Sequence, residues 1–159
     1  MLESFQRSNL GEKVTTSELV IIDLQASDRK QAVGLLAARL VEAGRVTNLN
    51  DYLDAVEARE EHFPTGIEGG IAIPHAQSDS VTIPSVAVAT CPSGVDFGAD
   101  DGPSNLIFLI AAPASGENTH LEILASLARK VMHEEFRESL RRQSDPAELA
   151  EILNREIQI

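Results

Sequence analysis

Apolar residues follow two rhythms along this chain. Val33, Leu36, Ala37 and Leu40 recur at helical spacing, and so do Leu49, Tyr52, Leu53 and Val56. Leu121, Leu124, Ala128 and Val131 form a third stripe, and Leu149, Ile152, Leu153 and Ile157 a last one. Met132, Phe136 and Leu140 suggest a shorter helix between these two, with a basic end at Arg137, Arg141 and Arg142. Compact apolar runs separate the stripes and read as strands: Leu19 to Leu24, Ile71 to Ile73, Ser85 to Cys91 and Leu106 to Ala112. The last run is unbroken, so it belongs in the middle of a sheet covered on both faces. The interleaving predicts an α/β architecture, a sheet with helices layered against it.

Boundary signals sharpen the reading. Ser27 is an N-cap candidate and Gly44 stands where a helix would end. In the second stripe, Glu57, Glu60 and Glu61 fall on the face expected to meet water. Thr119 and Glu122 fit a capping box, whereas Asp145, Pro146 and Glu148 place cap, proline and glutamate at the start of the final helix. The segment Ala76 to Thr82 is polar and reads as a loop. From Met1 to about Glu18 the pattern lacks periodicity, predicting a single domain over residues 1–159 with a loose N-terminal arm over about 1–14.

Composition narrows the function. A net charge of −12 over 159 residues repels a phosphate backbone, so nucleic acid is not an expected partner; the charge suits a basic protein partner and equally plain solubility, and does not choose between them. No apolar stretch approaches the ~20 residues of a membrane span, and an acid follows Met1-Leu2 where a secretory signal places basic residues. Direct membrane insertion is therefore not expected, and the expected location is the cytoplasm. Cys91, the single cysteine, sits in a strand-like run and forms no internal disulfide.

The chemistry gathers around Gly69-Gly70-Ile71-Ala72-Ile73-Pro74-His75, where glycines, a short apolar strand and a proline deliver a histidine to a strand end. His120 follows a second strand, a second proline and a loop, at the first position of a predicted helix, where unpaired amides favour an anion. If the two strands run the same way in one sheet, both imidazoles meet at one edge. His62 and His133 lie in charged stretches and are expected in solvent. A zinc site lacks further ligands at suitable spacing, so no metal is expected. A hydrolase would need a Gly-x-Ser-x-Gly elbow, which is missing. Imidazole acting directly as a nucleophile toward phosphorus remains.

Gly70-Ile71-Ala72-Ile73-Pro74-His75, with Arg59-Glu60 and Thr65-Gly66 before it, resembles the phosphorylation signature of the fructose/mannitol class of enzyme IIA, type 2, in the phosphoenolpyruvate-dependent sugar phosphotransferase system. The likeness continues through Gly94-Val95-Asp96-Phe97, Asp101-Gly102-Pro103, Leu106 to Pro113 and Thr119 to Leu124, roughly residues 15 to 155. It implies a single-domain mixed β-sheet flanked by α-helices on both faces. His75 would take a phosphoryl group from the carrier protein HPr and pass it to a cysteine of enzyme IIB, with enzyme IIC importing the sugar. His120 and Arg59 would hold the phosphoryl group, and no cofactor would be needed. Arg59 at the end of an acidic helix also suits pairing with glutamates or with the helix terminus. Thr65 is either a hydroxyl donor to the phosphate or a turn residue. Fructose transport is the first reading. A nitrogen-type enzyme IIA, a regulatory module whose phosphorylation state controls its partners, is the second.

Overall fold

The computed structural model describes residues 13–115 and 119–157, with the backbone alone for Thr119 and His120. Among the described residues six strands form one mixed sheet: β1 (Val20–Ile21), β2 (Gly66–Ile67), β3 (Ile71–Ala72), β4 (His75–Ser78), β5 (Ser85–Val95) and β6 (Ser104–Pro113). The order is β1-β5-β6-β3-β2, and β4 also pairs with β6. β5 and β6 are antiparallel, with Val88 opposite Phe108. β1 runs parallel to β5, while β3 and β4 both run parallel to β6.

Side chains alternate across the sheet and divide the core in two. Ala87, Ala89, Ile107, Leu109 and Ala111 face α1 (Arg29–Glu42) and α2 (Leu49–His62), packing on Leu36, Leu40, Tyr52 and Val56. Val86, Val88, Leu106, Phe108 and Ile110 face α3 (Thr119–Lys130), α4 (Glu134–Arg141) and α5 (Pro146–Glu156), packing on Ile123, Leu127, Leu140 and Leu153. The unbroken run from Leu106 to Ala112 is buried on both faces for this reason. Helices thus cover both sides of a mixed sheet, as expected.

The boundaries differ from the sequence reading in four places. Asp28 caps α1 instead of Ser27, accepting from the Gln31 amide at 2.8 Å, and Ser27 turns its own amide to the Gln31 side chain. The first strand shrinks to Val20–Ile21, because Leu19 closes a short 3-10 turn begun at Ser17. Residues 1–12 of the predicted arm lie outside the described residues, but the part after them is anchored. Asn154 brackets Thr15 through its carbonyl and its amide, at 2.9 and 3.3 Å, and the Val14 carbonyl accepts from Val86 at 2.7 Å. The segment read as a polar loop after His75 opens with β4, whose Ala76 is buried while Gln77 is exposed. Its strand state comes from pairing with β6, a distant partner that local polarity does not reveal. The capping box at Thr119 lies outside the described side chains. Asp145 caps α5 as expected, accepting from Ala147 at 3.0 Å.

Candidate functional site

Placement of His75 begins at the two glycines before β3. Gly69 and Gly70 have φ of 97° and 77°, the left-handed region that glycine enters without penalty. Close contacts hold that bend. The Gly70 carbonyl accepts from the amides of Asn105 and Leu106 at 2.9 and 3.0 Å, and the Gly69 carbonyl accepts from the Arg141 guanidinium. Arg141 also donates to the Asn105 side chain at 3.0 Å. A Cβ on Gly70 would stand 2.9 Å from that same Asn105 oxygen, so the bend has no room for a side chain.

Past β3 the chain keeps its direction. Pro74 has no amide to give the sheet, but its carbonyl accepts from Ile110 at 2.9 Å, and β4 continues with His75 opposite Ile110. Ile110 is fixed from below by Tyr52, whose hydroxyl donates to the Ile110 carbonyl at 2.8 Å. Complete burial raises the Tyr52 pKa far above the usual phenol value, so it remains a proton donor. Because Ala76 belongs to the core under α1 and α2, the preceding side chain, His75, points to the opposite face, where α3 packs.

His75 is half-buried, and its Nδ1 stands 2.8 Å from the carbonyl oxygen of Ile73. A carbonyl only accepts, so Nδ1 carries the proton. In the neutral ring the lone pair then resides on Nε2, the nitrogen on the far side from the backbone.

The end of α2 carries Arg59 and Glu60. Arg59 is half-buried in its last turn, with the guanidinium 5.5 Å from the centre of the exposed Phe63 ring. Glu60 is not in water as its helical position predicts: only 2% of it is exposed. The chain doubles back at Pro64 and brings Thr65 over it. The Glu60 carboxylate accepts from the Thr65 amide at 2.7 Å and from the Thr65 hydroxyl at 2.8 Å. The single hydroxyl proton of Thr65 is thereby directed to Glu60. Thr65 in turn accepts from Ile73, its carbonyl 3.2 Å from that amide.

His120 lies in the first turn of α3, and its side chain is outside the described residues. The topology nonetheless satisfies the condition set by the sequence. β3, β4 and β6 are mutually parallel, so their C-terminal ends share one edge, and α3 begins beyond β6 on the face toward which His75 points. His62 and His133 are exposed, and Cys91 is a buried free thiol in the core under α1 and α2. Glu60 was missed because its periodicity is that of a surface residue. Its signals were the Arg59-Glu60 pair within the family resemblance and the Pro64-Thr65 turn that follows, which a helical projection does not register.

A sheet edge that presents a histidine with its Nδ1 proton fixed, with a helix starting beyond the same edge, is a site suited to handling a small anion. The family model for the phosphoenolpyruvate-dependent sugar phosphotransferase system, EIIA 2, matches residues 13–156, and the chain belongs to that family. It is similar to the PTS system fructose-specific EIIA component of Haloferax volcanii, with 42% identity over 80% of this chain and 83% of the relative. Among solved structures it resembles the nitrogen regulatory protein IIA-Ntr of Neisseria meningitidis, with a TM-score of 0.79 and 29% identity over 88% of this chain and 96% of that one. It also resembles the mannitol enzyme IIA of Escherichia coli solved in complex with phosphorylated enzyme IIB, with a TM-score of 0.73 and 27% identity over 86% of this chain and 94% of that one.

Proposed function

We propose that this chain carries a phosphoryl group on Nε2 of His75, receiving it from phospho-HPr and passing it to a cysteine of an enzyme IIB in the uptake of a sugar, fructose first among candidates. The observation that carries the reading is the bond from Nδ1 to the Ile73 carbonyl, which holds the proton on one nitrogen and leaves the other as nucleophile. In the first step the Nε2 lone pair forms a bond to phosphorus while the donor's N–P bond breaks, its electron pair returning to the donor ring. The proton stays on Nδ1 throughout, hydrogen-bonded to the Ile73 carbonyl. In the second step the thiolate of enzyme IIB attacks phosphorus and the pair returns to Nε2. Arg59 and His120 are assigned to the equatorial oxygens, where charge is held during transfer.

Incubation with phosphoenolpyruvate, enzyme I and HPr, followed by intact mass measurement, tests this. One acid-labile phosphate is expected on the wild type and none on His75→Ala. His120→Ala is expected to accept label but to transfer it onward more slowly. Equal labelling of wild type and His75→Ala would overturn the assignment.

The 42% identity to a fructose-specific component favours transport. The likeness to IIA-Ntr supports the second reading, a regulatory module whose phosphorylation state controls a partner. Adding purified fructose-type enzyme IIB to the phosphorylated chain separates them: rapid loss of label to the IIB cysteine supports transport, and retention supports regulation.

A further inference from the structure

We propose that Glu60 is a positioning residue for His75, acting through a chain of hydrogen bonds that sets which imidazole nitrogen carries the proton. The inference rests on the assignment of His75 as the phosphoryl carrier and adds the group that holds it ready. Glu60 lies in the last turn of α2, one residue after Arg59, and is almost wholly buried. Its carboxylate takes both the amide and the hydroxyl of Thr65. The Thr65 carbonyl takes the Ile73 amide, and the Ile73 carbonyl takes His75 Nδ1–H. Each link fixes the backbone that makes the next.

Two features set this chain apart from ordinary loop bonding. A buried carboxylate costs more to desolvate than a neutral side chain, so its presence here asks for a task that an apolar residue would not perform. The chain also joins the end of α2, which carries Arg59, to the segment that carries His75. Fixing that separation fixes the two groups assigned to one phosphoryl group. Without the bracket the Thr65 turn loosens, the Ile73 carbonyl drifts from Nδ1, and the ring is released to place its proton on Nε2, where it blocks attack.

Four proteins decide the matter: wild type, Glu60→Ala, Glu60→Gln and Thr65→Val. Two measurements are made on each. The nitrogen spectrum of the His75 ring, recorded above the pH at which it becomes neutral, reports the tautomer without any phosphoryl donor. The rate of labelling by phospho-HPr reports function.

Glu60→Ala is expected to lose the Nδ1–H form and to slow labelling roughly 10- to 100-fold, the scale of a small misplacement of reacting groups. Glu60→Gln restores both, because its amide oxygen accepts from the Thr65 amide and its NH2 donates to the Thr65 hydroxyl. Thr65→Val removes one of the two bonds and should fall between. It also serves if Glu60→Ala does not fold, because it leaves the amide bond to Glu60 in place. Wild-type tautomer and rate in both Glu60→Ala and Thr65→Val would overturn the proposal. Should the wild type take no phosphate, the carrier assignment fails, and the ring spectra alone still show whether Glu60 governs His75.

Discussion

The carbonyl of Ile73 determines which nitrogen of His75 carries the proton, and Pro74 and the β6 register fix the strand that follows it. The histidine itself was legible in the sequence, since glycines, an apolar triplet and proline announce a strand end. Its tautomer was not, because it depends on a backbone oxygen whose direction no side-chain pattern encodes. Glu60 was misplaced for a related reason: helical periodicity describes a cylinder in water and omits the turn that folds over its end. A simpler residue-level effect occurs at Glu156, where a hydrogen bond from Lys130 at 2.9 Å holds the carboxyl below its ordinary pKa. A depressed carboxylate contributes stability above its unfolded pKa and loses it as pH falls through the folded value. Urea titrations between neutral pH and pH 3 should therefore show a small acid loss from this group, under about 1 kcal/mol for so exposed a pair, that Lys130→Met reduces and that Arg155 in part retains.

At the scale of elements, the Gly69-Gly70 bend and β4 carry the consequences. Asn105 and Arg141 close around the bend, so Gly70→Ala must both strain φ and push the Asn105 side chain away. A loss of at least about 1–2 kcal/mol in urea unfolding is expected. Labelling of His75 by phospho-HPr should slow as well, because the shifted bend is the root of β3. The helices themselves were readable from spacing, but the stripe of α3 was misassigned: Leu121 and Ala128 are exposed, and Ile123 and Leu127 are the residues that enter the core. β4 was not readable, since Gln77 and Ser78 are polar and the strand exists only through a partner 35 residues further along the chain at each pair, as between His75 and Ile110. The two-residue β1 errs in the opposite direction: a run of six apolar-rich positions promised more strand than one neighbour, β5, sustains.

For the whole molecule, 25 acidic against 13 basic residues leave a surface that repels itself. Salt screens that repulsion, so Tm measured by calorimetry should rise as KCl goes from about 0.05 to 1 M, over which the Debye length shrinks to roughly 3 Å. Each kcal/mol recovered corresponds to roughly 2–4 °C in a chain of this size. A fall in Tm over that range would mean that attractive pairs outweigh the excess charge. The layered arrangement was legible from the alternation of elements, but the parallel pairing of both His75-bearing strands with β6 came only with the fold. That pairing has a consequence for the order of assembly. β5 and β6 are consecutive and antiparallel, a contact that closes over a short stretch of chain, whereas β3 and β4 must wait for a neighbour made about thirty residues after them. During synthesis the histidine assigned as phosphoryl carrier leaves the ribosome before the strand it pairs with exists, and its surroundings are complete only once the centre of the sheet has formed.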